Sequence, residues 1–356
     1  MIENFFQPLS TKFPKTSKTL GSIGASVAKS EDIADDAVVI FSIGDEFVEV
    51  RKSFYQLGNH FTNTVIVDLG MFRSTTSHKN NQAGLKEVLY YLYEKRAKVL
   101  ILSSDSNVAL AQWQVEREFQ TPVDAAMVVR SFDSPCADYL FEYWKQQDEK
   151  DHLFHLSIIG FQSYFNTMTS YDELNQVFYD NMRLGEFRAN PHAVETLLRE
   201  SDFACFDLNS LKFSDFTAQT NPCPNGFYSE EACLISRYAG ISNKLNTFSL
   251  LESNPKQLKG TNAALLAQMM WYFVDGVENR YHDIPDPKNT NFHLIHCPLE
   301  NSPIPEILFI RSLVSNRLWM QVPLGKNARW TGCTEEEFSI ASQGEIPEKW
   351  FRAIGF

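Results

Sequence analysis

The chain has 356 residues and a formal net charge of −12 at pH 7, with 44% hydrophobic and 21% charged residues. Such a chain can bury a large core in one large domain or two ordinary ones, and its composition is ordinary for a soluble globular protein. The acidic balance argues against a nucleic-acid backbone or an anionic membrane surface as the main partner.

The six cysteines are scattered with no Cys-x-x-Cys pair, and the first residues carry neither a basic nor a long apolar stretch. This start is unlike a secretory signal peptide. The longest apolar run, near residues 263–274, is interrupted by Gln268 and is too short to span a bilayer. We therefore expect a reduced, cytoplasmic protein with no membrane insertion.

Residues 1–35 are polar and rich in small residues, which predicts a poorly structured lead-in and leaves open whether it docks on the body. The short apolar runs that follow are typical of buried parallel strands, and they cover residues 38–44, 64–70 and 98–104. Periodic apolar residues between these runs predict helices over residues 48–58 and 84–95.

The alternation continues with predicted strands at residues 125–129 and 153–160 and a predicted helix at 171–184. Residues 201–276 then form the pattern strand, long loop, helix, strand, loop, helix, with Asp207 and Glu252 at the ends of the two strands. This order predicts a three-layer α/β/α fold whose mostly parallel sheet is covered on both faces. Open α/β sheets place their active sites at the carboxyl ends of their strands.

The character of the chain changes after Gly276. Prolines punctuate a linker-like stretch, and two apolar runs at residues 307–310 and 317–322 predict an added β-hairpin, followed by a short amphipathic tail. We therefore predict an N-terminal lead-in, an α/β domain and a C-terminal extension that contains the hairpin, with boundaries at 1–35, 36–285 and 286–356.

Two motifs in the second half of the α/β domain resemble those of the arginase, agmatinase and formimidoylglutamase family, the ureohydrolases. The family pattern is Ser-x-Asp-x-Asp-x-x-Asp-Pro, then a Gly-rich loop, a helix, and a strand that ends in Glu-x-Asn-Pro. The matching positions here are Cys205, Asp207, Asn209, Lys212 and Phe213, then Glu252, Asn254 and Pro255. The resemblance covers residues 36–280 and implies an arginase-like fold that often assembles into homo-oligomeric rings.

The resemblance also implies where a dimanganese site would lie. The family takes its ligands from Gly-Gly-Asp-His, Asp-Ala-His-x-Asp and the two aspartates of the third motif. At these positions the chain carries Ser106 and Ser131 in place of the histidines, and Asn209 in place of one aspartate. The remaining matched ligands are Asp133 and Asp207. Because manganese prefers carboxylate and imidazole ligands, we expect the dimetal site and its manganese to be lost.

Two positively charged residues also stand at positions of these motifs. Arg130 stands within the second motif, and Lys212 stands at the aspartate of Asp-Pro. A buried cation can neutralise neighbouring carboxylates without a metal, so we expect Arg130 and Lys212 to compensate Asp133 and Asp207.

Glu252 matches the family glutamate that pairs with the guanidinium of the substrate. This match implies that a small cationic ligand could still bind at the position of the family's substrate pocket, which we call the old pocket. The alternative is that Glu252 and the following Ser-Asn-Pro form only a structural strand end.

The other candidate residues give weaker signals. The pairs His152/His155 and His293/His296 lie in or before predicted strands, where their spacing sends the side chains to opposite faces, so we expect no metal there. Cys136 could act as a nucleophile, but no histidine can be placed beside it from the sequence, and a small buried residue is the favoured interpretation.

We therefore predict a non-catalytic, arginase-like protein that acts by binding or assembly, without a cofactor, and that uses its C-terminal extension as a partner surface. The alternative is a metal-dependent hydrolase of linear amidine C–N bonds with a rebuilt site, in which one manganese is held by Asp133 and Asp207 or by a shifted set with Asp105 and Asn209. In either case, the residues expected around the old pocket are Ser106, Arg130, Ser131, Asp133, Asp207, Asn209, Lys212 and Glu252.

Overall fold

A nine-stranded sheet forms the centre of the molecule, in a computed structural model that describes residues 2–7, 21–25, 27, 33–120, 123–138, 140, 155–167, 178–299, 304–324 and 327–353. The strands lie in the order β1-β3-β2-β4-β9-β8-β5-β6-β7, and every pair is parallel except β1 with β3. They are β1 Phe6–Gln7, β2 Val38–Ile43, β3 Ile66–Phe72, β4 Lys98–Ser103, β5 Asp124–Val128, β6 His155–Phe161, β7 Phe178–Arg183, β8 Phe203–Asp207 and β9 Thr247–Leu251.

Helices cover both faces of this sheet. They are α1 Val48–Gln56, α2 His78–Glu94, α3 Val108–Phe119, α4 Leu184–Ala189, α5 Val194–Glu200, α6 Ser229–Ile241 and α7 Thr261–Glu278. Alternate residues of β2 point into two separate cores: Val38 and Ile40 pack with α1, α6 and α7, whereas Val39 and Phe41 pack with α2 and α3. The predicted three-layer α/β/α architecture is therefore confirmed.

The edges of the large sheet differ from the prediction. Phe6 and Gln7 of the lead-in pair with Phe72 and Met71, so this segment docks on the body as an added antiparallel strand. The predicted helix at 171–184 is wrong over Phe178–Arg183, which forms β7 along β6, and residues 171–177 lie outside the described part of the chain. Pairing with a neighbouring strand has overridden the local helical pattern here.

The C-terminal extension forms a second, antiparallel sheet rather than a single hairpin. Its strands are β10 Phe292–Pro298, β11 Glu306–Ser312, β12 Leu318–Leu324 and β13 Asn327–Cys333, followed by helices α8 Glu335–Ser342 and α9 Glu348–Ala353. The predicted hairpin is the central pair β11–β12, and the stretch predicted to be a linker contains β10. Phe309, Met320 and Trp350 belong to a separate core beneath this sheet. The exact domain boundaries stay a prediction.

None of the helices described in the chain is both long enough and apolar enough to cross a lipid bilayer. All six cysteines are buried and unpaired.

Candidate functional site

The carboxyl ends of β8 and β9 lie side by side, because Asp207 pairs with Leu251 and Glu252 follows directly. Beside them is a cavity of about 460 Å³, which we call the strand-end pocket. Its lining includes six of the eight residues that the sequence placed around the old pocket: Arg130, Ser131, Asp133, Asp207, Asn209 and Glu252. Parallel pairing has brought together groups that are far apart in the sequence.

Asp207 is the most enclosed acid of this pocket, with 2% of its surface exposed. Its carboxylate accepts hydrogen bonds from the hydroxyl of Ser134, from the backbone N–H of Asn209 at 2.8 Å and from Nδ2 of Asn209 at 2.9 Å. Burial raises the pKa of Asp207, although these hydrogen bonds and the charge of Arg130 act to lower it.

Asn209 uses both ends of its amide group. Its Nδ2 donates to Asp207 and, at 3.4 Å, to the backbone carbonyl of Glu252. Its Oδ1 accepts from the hydroxyl of Thr220 at 3.1 Å and from the backbone N–H of Asn221 at 2.8 Å. Asn209 therefore ties the two strand ends to the loop that follows β8.

Arg130 borders the pocket with 9% of its surface exposed. Its Nη1 donates to the backbone carbonyl of Asn221 at 2.8 Å, and its guanidinium carbon lies 5.4 Å from the centre of the Phe165 ring. The hydrogen bonds of this guanidinium thus go to backbone carbonyls, while its charge still lowers the pKa of Asp207.

Glu252 has a left-handed backbone conformation, with φ of 63°, which is unusual for a residue with a side chain. The hydroxyl of Ser106 donates to Oε1 of its half-buried carboxylate. Burial raises the pKa of Glu252, and the charges of Asp207 and Asp105 add to this effect, while the Ser106 hydrogen bond lowers it. Ser106 is 1% exposed, so it contributes to the pocket only through its hydrogen bond to Glu252.

The segment after β5 forms another wall of the pocket. The backbone N–H of Asp133 donates to the hydroxyl of Ser131 at 3.2 Å, and the Ser131 hydroxyl contacts Oδ1 of Asn166 at 3.2 Å. The Asp133 side chain is exposed. Ser131 therefore shapes this turn, which holds Asp133 where solvent or a ligand can reach it.

Lys212 lies away from the position that the sequence suggested. Its ammonium lies 5.0 Å from the centre of the Tyr228 ring. Burial acts to raise the pKa of Asp215, but hydrogen bonds from Ser229 and Ser214 lower it, and the charge of Lys212 lowers it further. The contacts to the Asp207 carboxylate come instead from Ser134 and Asn209. The expected pairing of Lys212 with Asp207 is therefore wrong.

The weaker candidates that the structure describes lie in separate places. Cys136 is fully buried, and burial together with the charge of Asp207 raises the pKa of its thiol, which is unfavourable for a nucleophile. His155 lies between Asp124 and Asp180 in the interior, and His152 lies outside the described residues. His296 pairs with Glu306 on the surface of the second sheet.

The sequence did not single out four groups that complete the pocket: Ser134, Phe165, Thr220 and Asn221. Asn221 follows the third motif in the chain, so its position in the loop after β8 was the available signal. Within the described ranges, no group of three or more His, Cys, Asp or Glu side chains is placed to hold one metal ion.

No family profile and no curated protein sequence matches this chain. Solved structures do match its fold. Formiminoglutamase from Trypanosoma cruzi with manganese, at pH 8.5, is 16% identical with a TM-score of 0.61, and the match covers 70% of this chain and 95% of that one. Formimidoylglutamase from Bacillus subtilis is 12% identical with a TM-score of 0.58, covering 71% and 91%.

Agmatine ureohydrolase from Thermoplasma volcanium is 14% identical with a TM-score of 0.58, and the match covers 73% of this chain and 95% of that one. At such low identities the likeness is one of fold. The protein therefore has the arginase-like fold of the ureohydrolases, and the chemistry of its pocket must be judged from its own residues.

Proposed function

We propose that this protein binds a small cationic ligand in the strand-end pocket without a metal ion and without hydrolysing the ligand. The observation that carries the proposal is the amide of Asn209, whose Nδ2 donates to Asp207 at 2.9 Å. The family that the chain resembles uses aspartates at both positions as manganese ligands. Here an N–H group faces the carboxylate that would otherwise face a metal.

The donor set of the pocket does not suit a dimanganese centre. The Asp207 oxygens already accept bonds from Ser134 and Asn209, and serine hydroxyls stand at the matched histidine positions 106 and 131. Hydroxyl and amide groups are much weaker manganese ligands than the imidazole and carboxylate groups they replace.

The charge of the pocket favours a cation. Three carboxyl groups, those of Asp133, Asp207 and Glu252, line the pocket with one guanidinium, that of Arg130, whose hydrogen bonds go to backbone carbonyls. The side chain of Glu252 accepts a hydrogen bond from Ser106, and its backbone has a strained left-handed conformation, a kind of strain that is concentrated at functional sites. A guanidinium, amidine or ammonium group beside Glu252 would stabilise the charged form of its half-buried carboxylate.

One observation favours the enzyme alternative. Asp133 and Asp207 line the same cavity, so a single manganese between them is the arrangement to test. The shifted set is less suitable, because Oδ1 of Asp105 accepts bonds from the backbone and side chain of Asn107.

Calorimetric titration of the metal-free protein with agmatine and arginine tests the proposal, together with elemental analysis and assays for urea and ammonia. We expect saturable binding that Glu252→Gln weakens by about tenfold or more, as expected for the loss of a charge-assisted contact. Asp105→Asn removes a nearby acid that lies outside the pocket lining, and it should weaken binding much less than Glu252→Gln. Manganese-dependent turnover, or binding that Glu252→Gln does not affect, would overturn the proposal.

A further inference from the structure

A second cavity, of about 400 Å³, lies at the amino ends of the central strands of the large sheet, opposite the strand-end pocket. Asp124, the first residue of β5, and Lys244, which precedes β9, form its floor on the body side. The second sheet supplies Trp319, Arg329 and Trp330. This cavity, which we call the inter-sheet cavity, therefore exists because the C-terminal sheet packs on the α/β body, and its volume is typical of small-molecule sites.

Arg199 lines this cavity with 5% of its surface exposed. Its guanidinium carbon lies 4.5 Å from the centre of the Trp319 ring, and its Nη2 donates to the backbone carbonyl of Leu318 at 3.1 Å. Within the described part of the chain, its Nε and Nη1 have no hydrogen-bond acceptor. Glu195 Oε1 is 3.6 Å from Nε, which is an ion-pair distance and too long for a hydrogen bond.

Arg329 adds a second donor of the same kind. Its Nη1 reaches Asp124 Oδ1 at 3.2 Å, while its buried Nη2 has no acceptor among the residues that the structure describes. On the other side of the cavity, Oδ1 of Asn243 is a buried acceptor with no donor among those residues. Native proteins leave few buried polar atoms unpaired, and a bound molecule is one physical reason for a cluster of them.

Two of the three carboxylates that line the cavity, Asp124 and Asp283, are paired with cations. Burial acts to raise the pKa of Asp124, but the charges of Lys244 and Arg329 hold it well below its usual range. Asp283 is 3.2 Å from Nη1 of Arg317 and also accepts from Ser315. The two arginines that line the cavity therefore have buried N–H groups without an acceptor among the described residues, whereas Asp124 and Asp283 already have cationic partners. A single negative charge fits better than a phosphate dianion, because Asp124, Glu200 and Asp283 remain nearby.

We propose that the inter-sheet cavity binds a small organic carboxylate with a flat apolar body. The planar guanidinium groups of Arg199 and Arg329 match a carboxylate in geometry and charge. Trp330 and the 74% exposed Ile284 offer an apolar wall for the rest of the ligand, and Asn243 can accept one N–H or O–H from it. The site is independent of the strand-end pocket and gives the C-terminal sheet a role in ligand binding.

Titration of the full chain with benzoate and phenylacetate tests this proposal, monitored by calorimetry and by tryptophan fluorescence. We expect one saturable site per chain for a carboxylate, and no binding of the neutral amides benzamide and phenylacetamide. Arg199→Lys and Arg329→Lys each keep the positive charge but remove the planar fork, and each should weaken binding by about tenfold or more.

Arg311→Lys is the matched control, because Arg311 lies on the same sheet but pairs with Glu335 at the surface. If Arg199→Lys fails to fold, the carboxylate affinity of Arg329→Lys still tests the proposal, because Arg329 is only half-buried. The proposal is overturned if no carboxylate saturates, if the amides or inorganic phosphate bind equally well, or if both arginine variants retain full affinity. Binding that persists in Glu252→Gln and is lost in Arg329→Lys separates this site from the strand-end pocket.

Discussion

Nδ2 of Asn209 donates to Oδ1 of Asp207 at 2.9 Å, while Oδ1 of Asn209 accepts from the backbone N–H of Asn221 at 2.8 Å. One amide therefore satisfies a buried acid on one side and a loop donor on the other. An aspartate at this position could serve the loop but would place a second carboxylate against Asp207.

Asn209→Asp should therefore destabilise the metal-free protein at pH 7. The variant loses the donor to Asp207 and adds a like charge in a buried network, which we expect to cost about 1–3 kcal/mol of unfolding free energy. Chemical denaturation at pH 7 measures this loss. The defect should shrink at acidic pH, where one of the two carboxyl groups is protonated.

Asn225→Asp is the matched control, because Asn225 is an exposed residue whose Nδ2 contacts the hydroxyl of Tyr164 at 3.4 Å. It should change stability little. An Asn209→Asp variant as stable as the parent protein would show that the two side chains are not held together in this way.

Much of the strand-end pocket could be predicted from the sequence, because it depends on where parallel strands end. Asp207 and Glu252 close two apolar runs, and the parallel pairing of β8 with β9 then fixes their proximity. Lys212 could not be placed in this way. The chain makes a 3-10 turn over Leu208–Ser210, so side-chain direction no longer follows the alternation of a strand.

The parts of the fold that the sequence missed depend on distant partners. β7 is an edge strand that is defined by its pairing with β6, and its sequence includes Asp180 and Asn181, which are poor strand formers. β10 follows a proline-rich stretch and is defined by its seven-residue register with β11. The inter-sheet cavity was unforeseen for the same reason, since Arg199 comes from helix α5 of the body, whereas Arg329 and both tryptophans come from the second sheet.

Lys212→Ala should cost little stability. The ammonium lies over the ring of Tyr228, and an exposed cation–π contact contributes about 0.5–1 kcal/mol. In a double-mutant cycle with Asp207→Asn, the two losses of unfolding free energy should add within about 0.5 kcal/mol, because no contact joins the side chains. A coupling of several kcal/mol would instead place Lys212 beside Asp207.

Glu116→Gln should make the protein less sensitive to rising pH. Burial, reinforced by the charge of Asp202, raises the pKa of Glu116 to about 8. The folded state therefore holds this proton between the unfolded pKa and about pH 8, whereas the unfolded state releases it. The unfolding free energy then falls as pH rises through this window, by at most about 1.4 kcal/mol for each pH unit.

The stability difference between Glu116→Gln and the parent protein should therefore grow in favour of the variant from pH 5 to pH 8. Urea denaturation at several pH values measures it. Glu118→Gln in the same helix is the control, because Glu118 is an exposed acid whose 3.6 Å ion pair with Lys86 lies at the surface. The stability difference between this variant and the parent protein should change little with pH. Parallel curves for Glu116→Gln and the parent would mean that Glu116 is ionised in the folded protein.

Gly276→Ala should destabilise the protein despite the better helix propensity of alanine. Helices α6 and α7 pack so closely that a Cβ on Gly276 would lie 2.2 Å from the carbonyl oxygen of Arg237 and 2.8 Å from Cα of Gly240. Backbone atoms must move to admit it, which costs about 1–3 kcal/mol or more, against about 1 kcal/mol gained from propensity. Gly185→Ala, where a Cβ would meet nothing within 4 Å, should be neutral or stabilising, and thermal denaturation compares the two.

The melting temperature should respond neither to EDTA nor to manganese. A ligand that binds only the folded state adds about 2.7 kcal/mol at a hundred times its dissociation constant, and each kcal/mol shifts the melting temperature of a chain of this size by about 2 °C. An intact dimanganese site would thus give a shift of several degrees.

Here Asn209 and Ser134 already satisfy Asp207, and the guanidinium of Arg130 adds a positive charge near it. We expect EDTA to leave the melting temperature unchanged and millimolar manganese to add little. A drop of several degrees with EDTA, with about one metal or more per chain by elemental analysis, would instead support a rebuilt metal site on Asp133 and Asp207.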